Sequence, residues 1–170
     1  NGHDVGIVSL SGELVRIQMD KKKINLENDK IFSIRRLAEE KDIKTWKDSK
    51  DREDKVQKET REIAISLKLE MKISDVEFQG DGSKAVFYYT AENRVDFRQL
   101  IKNIAQAFKI KVEMRQIGLR QEASRLGGLG SCGRELCCST WLTDFRSVST
   151  SAARYQQLSL NPQKLAGQCG

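Results

Sequence analysis

MKISDVEFQGDGSKAVFYYTAENRVDFRQLIKNIAQAFKIKVEMRQI, residues 71–117, decides the fold. Met71 and Ile73 share one strand parity, whereas Val76 and Phe78 fall on the other, which predicts a bulge near Ser74 and Asp75. Gly80-Asp81-Gly82 closes a hairpin, and Lys84–Thr90 (KAVFYYT) has the aromatic and branched content of a central strand. Phe97, Leu100, Ile101, Ile104 and Phe108 then recur at helical spacing, with Asp96 and Gln99 expected to form a capping box. Lys111–Ile117 returns to strand alternation, with Val112 and Met114 on one side.

Working outward, Ile43, Trp46, Val56, Ile63, Ala64 and Leu67 give Ala38–Leu67 a helical pattern. The stretch Lys47–Arg61 inside it is almost wholly charged and reads as a solvated helix held by opposite-charge neighbours. Lys30–Leu37 alternates well enough to be a strand. The order from Lys30 to Ile117 is then β-α-β-β-α-β, an α+β, ferredoxin-like split arrangement with two helices on one face of an antiparallel sheet. Val5–Gln18 is expected to be an N-terminal hairpin turning at Ser11-Gly12, the remnant of a larger β element upstream. After Gly118 the chain becomes a Cys/Arg/Gly-rich extension, in which Ser149 should cap a helix running to Gln157 and Asn161-Pro162 should open a final turn. The expected organisation is therefore 1–29, 30–117 and 118–170. The sheet face away from the helices is where some RNA-binding domains stack bases, so either Tyr88 or the Phe87/Tyr89 pair is a candidate platform.

Hydrophobic residues at 38% and charged residues at 32% exclude a disordered chain. There is no signal-peptide h-region at the start and no apolar run long enough to span a bilayer, which predicts a cytoplasmic protein without membrane insertion. A net charge of +6 favours an acidic partner. From Lys109 to Gly170, nine basic side chains, mostly arginine, stand against four acids. Arg115, Arg120, Arg125 and Arg134 are the candidates for contacts with RNA, DNA or a protein partner, because the planar guanidinium suits bidentate phosphate contacts. The plain alternative is salt bridging to Glu113 or Glu122.

All four cysteines fall within residues 132–170: Cys132, Cys137, Cys138 and Cys169. A chain of 170 residues can bury a core without covalent staples. Adjacent cysteines rarely pair with each other. Thiolates gathered on a glycine-rich loop suit a soft metal, zinc or an iron–sulfur cluster. Three alternatives stand beside that reading. They are buried inert thiols, a thiol nucleophile activated by Arg134, and an extracellular disulfide framework. The glycines around Cys132 argue against the first, and His3, the lone histidine, lies far from any of the cysteines in sequence. No paired carboxylates, Ser–His–Asp set or nucleotide loop is evident, so the expected protein is not an enzyme.

The runs RQIGLRQEASRLGGLGSCGRELCCSTWLTDF (115–145), LSLNPQKLAGQCG (158–170) and DGSKAVFYYTAENRVDFRQLI (81–101) are more specific than composition. From about residue 30 to 170 the chain resembles the polymerase-suppressor-protein C-terminal domain family, in its YaaT/RicT-like form. The family's C-G-R-x-L-C-C loop is matched by Cys132, Gly133, Arg134, Leu136, Cys137 and Cys138. Its second cysteine repeat, after N-P-x-K-x-x-G, is matched by Asn161, Pro162, Lys164, Gly167, Cys169 and Gly170 and is then cut short. The resemblance implies a regulatory subunit of an RNA-processing complex, with small helical partners of the RicA and RicF type and RNase Y as the linked nuclease. It also implies an iron–sulfur cluster, [4Fe-4S] in the intact complex, with a structural zinc site as the alternative. Because the second repeat is cut short, this chain by itself is expected to hold cluster weakly or not at all. Direct RNA binding and thiol redox chemistry remain the other readings.

Overall fold

The computed structural model describes residues 4–22, 24, 33–142 and 148–168. Its elements, in chain order, are α1 (Glu13–Lys22), α2 (Glu40–Ser66), β1 (Lys72–Phe78), β2 (Lys84–Thr90), α3 (Arg98–Phe108), β3 (Lys111–Gln116), α4 (Leu119–Leu126), α5 (Thr150–Tyr155) and α6 (Pro162–Leu165). The fold is mixed α+β around a three-stranded sheet in the order β1-β2-β3. β1 runs antiparallel to β2, and their register shifts between Ile73 and Asp75, where the change of parity predicts a bulge. Ile73, Val76, Phe78, Ala85, Phe87 and Tyr89 form the core with Leu100 and Ile104 of α3 and Val56 and Ala64 of α2. Leu100, Ile104, Phe87 and Ala85 are fully enclosed, as the i, i+4 spacing on α3 and the period of two on β2 require.

Three expectations are corrected. The split arrangement does not form among the described residues, because β3 pairs directly with β2, in parallel register from Lys84↔Lys111 to Tyr89↔Gln116. β2-α3-β3 is thus a plain βαβ crossover, with no gap for an earlier strand. The proposed strand at Lys30–Leu37 falls partly outside the described residues. Its described part carries no strand, with Ile34 82% and Leu37 89% exposed, so the alternation has no core to face. The N-terminal hairpin is replaced by an extended segment and a helix. Gly12 turns at φ +64 into α1, where Val15, Gln18 and Met19 are half-buried at i, i+3, i+4. Glu, Leu, Gln, Met and Lys are all good helix formers, and they outweigh the single Leu14/Arg16 alternation. Asp4 ties this segment to the sheet, its Oδ1 accepting from Gly80 N at 3.1 Å.

Helix α2 is not merely solvated. Glu53 Oε1 accepts from Phe78 N at 3.0 Å, Gln57 Nε2 donates to the Ser74 carbonyl, and Arg61 Nε donates to the Ile73 carbonyl at 2.8 Å. These residues recur every four positions, so one stripe of the helix satisfies backbone groups along β1 that would otherwise lack partners. The capping box at Asp96 does not form either. Asp96 instead accepts from Arg98 N and pairs with the Arg98 guanidinium, while Gln99 donates to Asn103. Ser149 and Asn161 do cap their helices, accepting from Ala152 N and Gln163 N respectively.

A cysteine hairpin bracketed by helix α4

The Cys/Arg/Gly-rich segment after Gly118 opens with α4, and this short helix positions the site. Glu122 and Arg125 leave one side of α4, whereas Arg120 and Ser124, spaced i, i+4, leave the other. The first side seals the sheet face away from α2 and α3. Glu122, 6% exposed, accepts from Ser74 Oγ at 2.8 Å and pairs with Lys72 at 2.9 Å. Arg125 pairs with Asp75 at 2.8 Å and Glu77 at 3.4 Å, and its guanidinium lies 3.5 Å from the centre of the Tyr88 ring. The Tyr88 hydroxyl donates to Glu77 Oε2 at 2.9 Å. Burial, then this hydrogen bond, pushes the phenol above its ordinary range.

The second side of α4 holds the cysteines. Ser124 Oγ donates to the Cys138 carbonyl at 2.6 Å. Arg120, itself buried, donates through Nη1 to the Gln168 carbonyl at 3.0 Å and through Nη2 to Cys137 Sγ at 3.6 Å. Residues 128–136 form a small hairpin closed by Gly130 N to the Arg134 carbonyl at 2.8 Å and Leu136 N to the Gly128 carbonyl at 3.0 Å. Cys132 sits at its exposed tip, beside Gly133 at φ +77, a left-handed position that favours glycine. At Gly130 a β-carbon would lie 3.4 Å from Cys132 Sγ and 3.7 Å from Leu136 Cδ2, so the sulfur folds back over the hairpin. The C-terminal turn docks on the same loop, with Ser131 Oγ donating to Gln168 Oε1 at 3.0 Å.

The four candidate thiols therefore separate. Cys132 is exposed at the tip, Cys137 is half-buried under Arg120, and Cys138 is buried. Cys169 lies outside the described residues, although its neighbour Gln168 is anchored by two of the bonds above. Among the described residues, no three His, Cys, Asp or Glu side chains converge to hold a metal ion. The chemistry of the set nonetheless fits a soft, thiolate-ligated centre, with Cys132 and Cys137 on one loop and a buried cation against Cys137. The four candidate arginines separate as well. Arg115 is drawn to Glu113 at 2.8 Å, Arg120 and Arg125 are engaged as described, and Arg134 is exposed on the hairpin. Hydrogen bonds from Lys84 and Arg115 hold the Glu113 carboxyl below the usual carboxylate range. Phe87 and Tyr89 face the core, with Tyr89 set edge-on against Phe97, and Tyr88 is covered by Arg125, so neither parity presents a bare ring. Sequence reasoning missed Ser124 and Gln168; the i, i+4 spacing of Arg120 and Ser124 was the signal for the first.

No helix among the described residues is long and apolar enough to cross a membrane. Residues 32–117 match the PSP1 C-terminal conserved region, and residues 147–170 match the third domain of PSP1-like proteins. The chain is similar to Stage 0 sporulation protein YaaT of Bacillus subtilis, at 46% identity over 144 residues. That match covers 83% of this chain and 52% of the relative, so the chain spans about half its length. Protein PSP1 of Saccharomyces cerevisiae is 47% identical over 45 residues, 26% of this chain and 5% of the yeast protein. An uncharacterized protein of Schizosaccharomyces pombe is 40% identical over 47 residues, 28% of this chain and 6% of its own length. No solved structure matches the chain. The match across the whole sheet, from residue 32 to residue 117, places this chain in the family of the PSP1 C-terminal conserved region.

Proposed function

We propose that the protein is a non-catalytic regulatory subunit, an adaptor in RNA processing that carries a cysteine-ligated iron–sulfur cluster together with partner subunits. The observation that carries the adaptor role is the apolar surface on the cysteine segment itself. Leu129 is 74% exposed and Trp141 is 72% exposed, on either side of the thiols, on a loop fixed by hydrogen bonds. Large apolar side chains held in the open favour a protein partner, since exposed tryptophan is a typical anchor of such interfaces. Similarity to YaaT, whose name attaches it to sporulation, supports a regulatory setting. Small helical subunits of the RicA and RicF type are the partners assigned, and RNase Y the nuclease whose action would be tuned. Cys132, Cys137 and Cys169 would hold the cluster. Cys138 would join only by leaving its buried position. When bound, the cluster supplies a redox-sensitive centre that can report oxidative conditions.

The test is anaerobic purification of this chain, and of a form extended through the second cysteine repeat, each with the helical partners. Iron and sulfide in the extended complex, lost together with partner binding in Trp141→Ser, is the expected result. Stoichiometric zinc in a colourless complex would replace the cluster with a structural metal. A second reading, a thiol redox enzyme, is favoured by the guanidinium against Cys137 Sγ. Turnover of a disulfide substrate by the metal-free protein, abolished in Cys137→Ser, would support that reading and overturn the adaptor.

A further inference from the structure

Arg120 is the most demanding side chain among the described residues. It is 6% exposed, and burying a guanidinium requires either a counter-charge or full hydrogen bonding. It has neither. Among the described residues no carboxylate pairs with it, and its Nε is buried without a partner. One acceptor it does reach is a neutral carbonyl, that of Gln168, and the other is the sulfur of Cys137. The cation therefore faces sulfur, with its Nε–H still free to donate. Arg120 also joins the two cysteine-bearing segments, because Gln168 precedes Cys169 in sequence and Cys137 directly follows the hairpin.

A centre ligated by several thiolates is net anionic, because the thiolates outweigh the charge of a divalent ion, and the same holds for thiolate-ligated clusters. Such a centre supplies what Arg120 lacks. We propose that Arg120 is the resident counter-cation of an anionic thiolate centre, its Nη2 donating to the Cys137 sulfur and its free Nε–H to a second ligand of that centre. This rests on the proposed cysteine-ligated centre and adds the residue that neutralises it. Arg120 is accordingly a positioning residue: it touches ligand sulfur and fixes the spacing of two ligand segments. It is not a phosphate-binding arginine.

The test uses the chain extended through the second cysteine repeat, with cobalt(II) as the metal probe read by thiolate-to-cobalt charge-transfer absorbance. Arg120→Met keeps the bulk and removes the charge and donors, and is expected to bind cobalt about tenfold or more weakly, the loss that one charge-assisted hydrogen bond represents. Arg120→Lys restores the charge without the fork and should fall between. In the unmutated protein, zinc should shift the Arg120 Nε–H nuclear magnetic resonance signal and slow its exchange with water. Cobalt affinity in a folded Arg120→Met equal to that of the parent would overturn the proposal, as would an Nε–H signal indifferent to zinc. If Arg120→Met fails to fold, Arg120→Lys and the Nε–H signal decide. Absence of any charge-transfer band in the parent protein would overturn the thiolate centre itself, a distinct failure that removes both readings.

Discussion

Tyr88, Arg134 and Arg125 carry the residue-scale predictions. The Tyr88 phenol sits between the Arg125 guanidinium and the Glu77 carboxylate, with burial as the main cause of its raised pKa. A raised folded-state pKa means the neutral phenol contributes stability that is complete below pH 10 and declines as pH climbs through the raised value. Ultraviolet titration of the protein minus that of Tyr88→Phe should therefore give a midpoint above 10; a midpoint at or below it would show the ring to be solvated. The arginines divide by engagement. Arg115 and Arg125 are held by carboxylates, whereas the Arg134 side chain stands on the hairpin with no ion pair or hydrogen bond among the described residues. If the protein binds RNA directly, Arg134→Ala should lower affinity uniformly across sequences and reduce the log–log salt slope by about 1. An unchanged slope would assign Arg134 elsewhere. Arg125→Ala, by contrast, should cost about 1 kcal/mol of stability through the uncovered Tyr88 ring, measured by denaturant unfolding.

At the scale of elements, the edge of β1 matters most. Gln57 and Arg61 of α2 each donate to a β1 carbonyl near the bulge. Arg61→Ala should destabilise the protein by about 1.5–3 kcal/mol, since a charged donor is lost from a partly buried acceptor. Lys55→Ala, whose side chain makes a long, exposed pair with Glu59 at 3.9 Å, should change stability by less than about 0.5 kcal/mol. Equal effects in the two variants would reduce the edge contacts to surface pairs. Periodicity in the sequence marks β1, β2, α3 and β3 because each buries one face, and the face sets the period. The same rule fails where nothing is buried: Lys30–Leu37 reads as a strand, yet Ile34 and Leu37 lie open, and Leu14 and Arg16 alternate inside a helix. It also cannot distinguish a charge in water from a charge bound to backbone, which is why α2 reads as solvated. The CGRELCC run is plain in the sequence. The bracket that holds it is not, because α4 is eight residues long and faces two surfaces with polar side chains.

Across the whole molecule, the sheet with α2 and α3 is knit by strand pairing and a shared core, whereas the outlying segments are fastened by side-chain ties. Asp4 reaches Gly80 across 76 positions, and Arg120 reaches Gln168 across 48. Closing such spans costs chain entropy that grows only slowly with length, so each tie can hold, yet each can also release without disturbing the sheet. The amides of Gly130 and Leu136 should then exchange with solvent deuterium through local opening, at a lower free energy and with less denaturant dependence than those of Phe87 and Leu100. Identical exchange energies throughout would make the molecule one cooperative unit. The Arg120 tie thus gives the cysteine hairpin its own hinge of stability: the thiols can be uncovered for loading, inspection or repair while the rest of the protein stays folded.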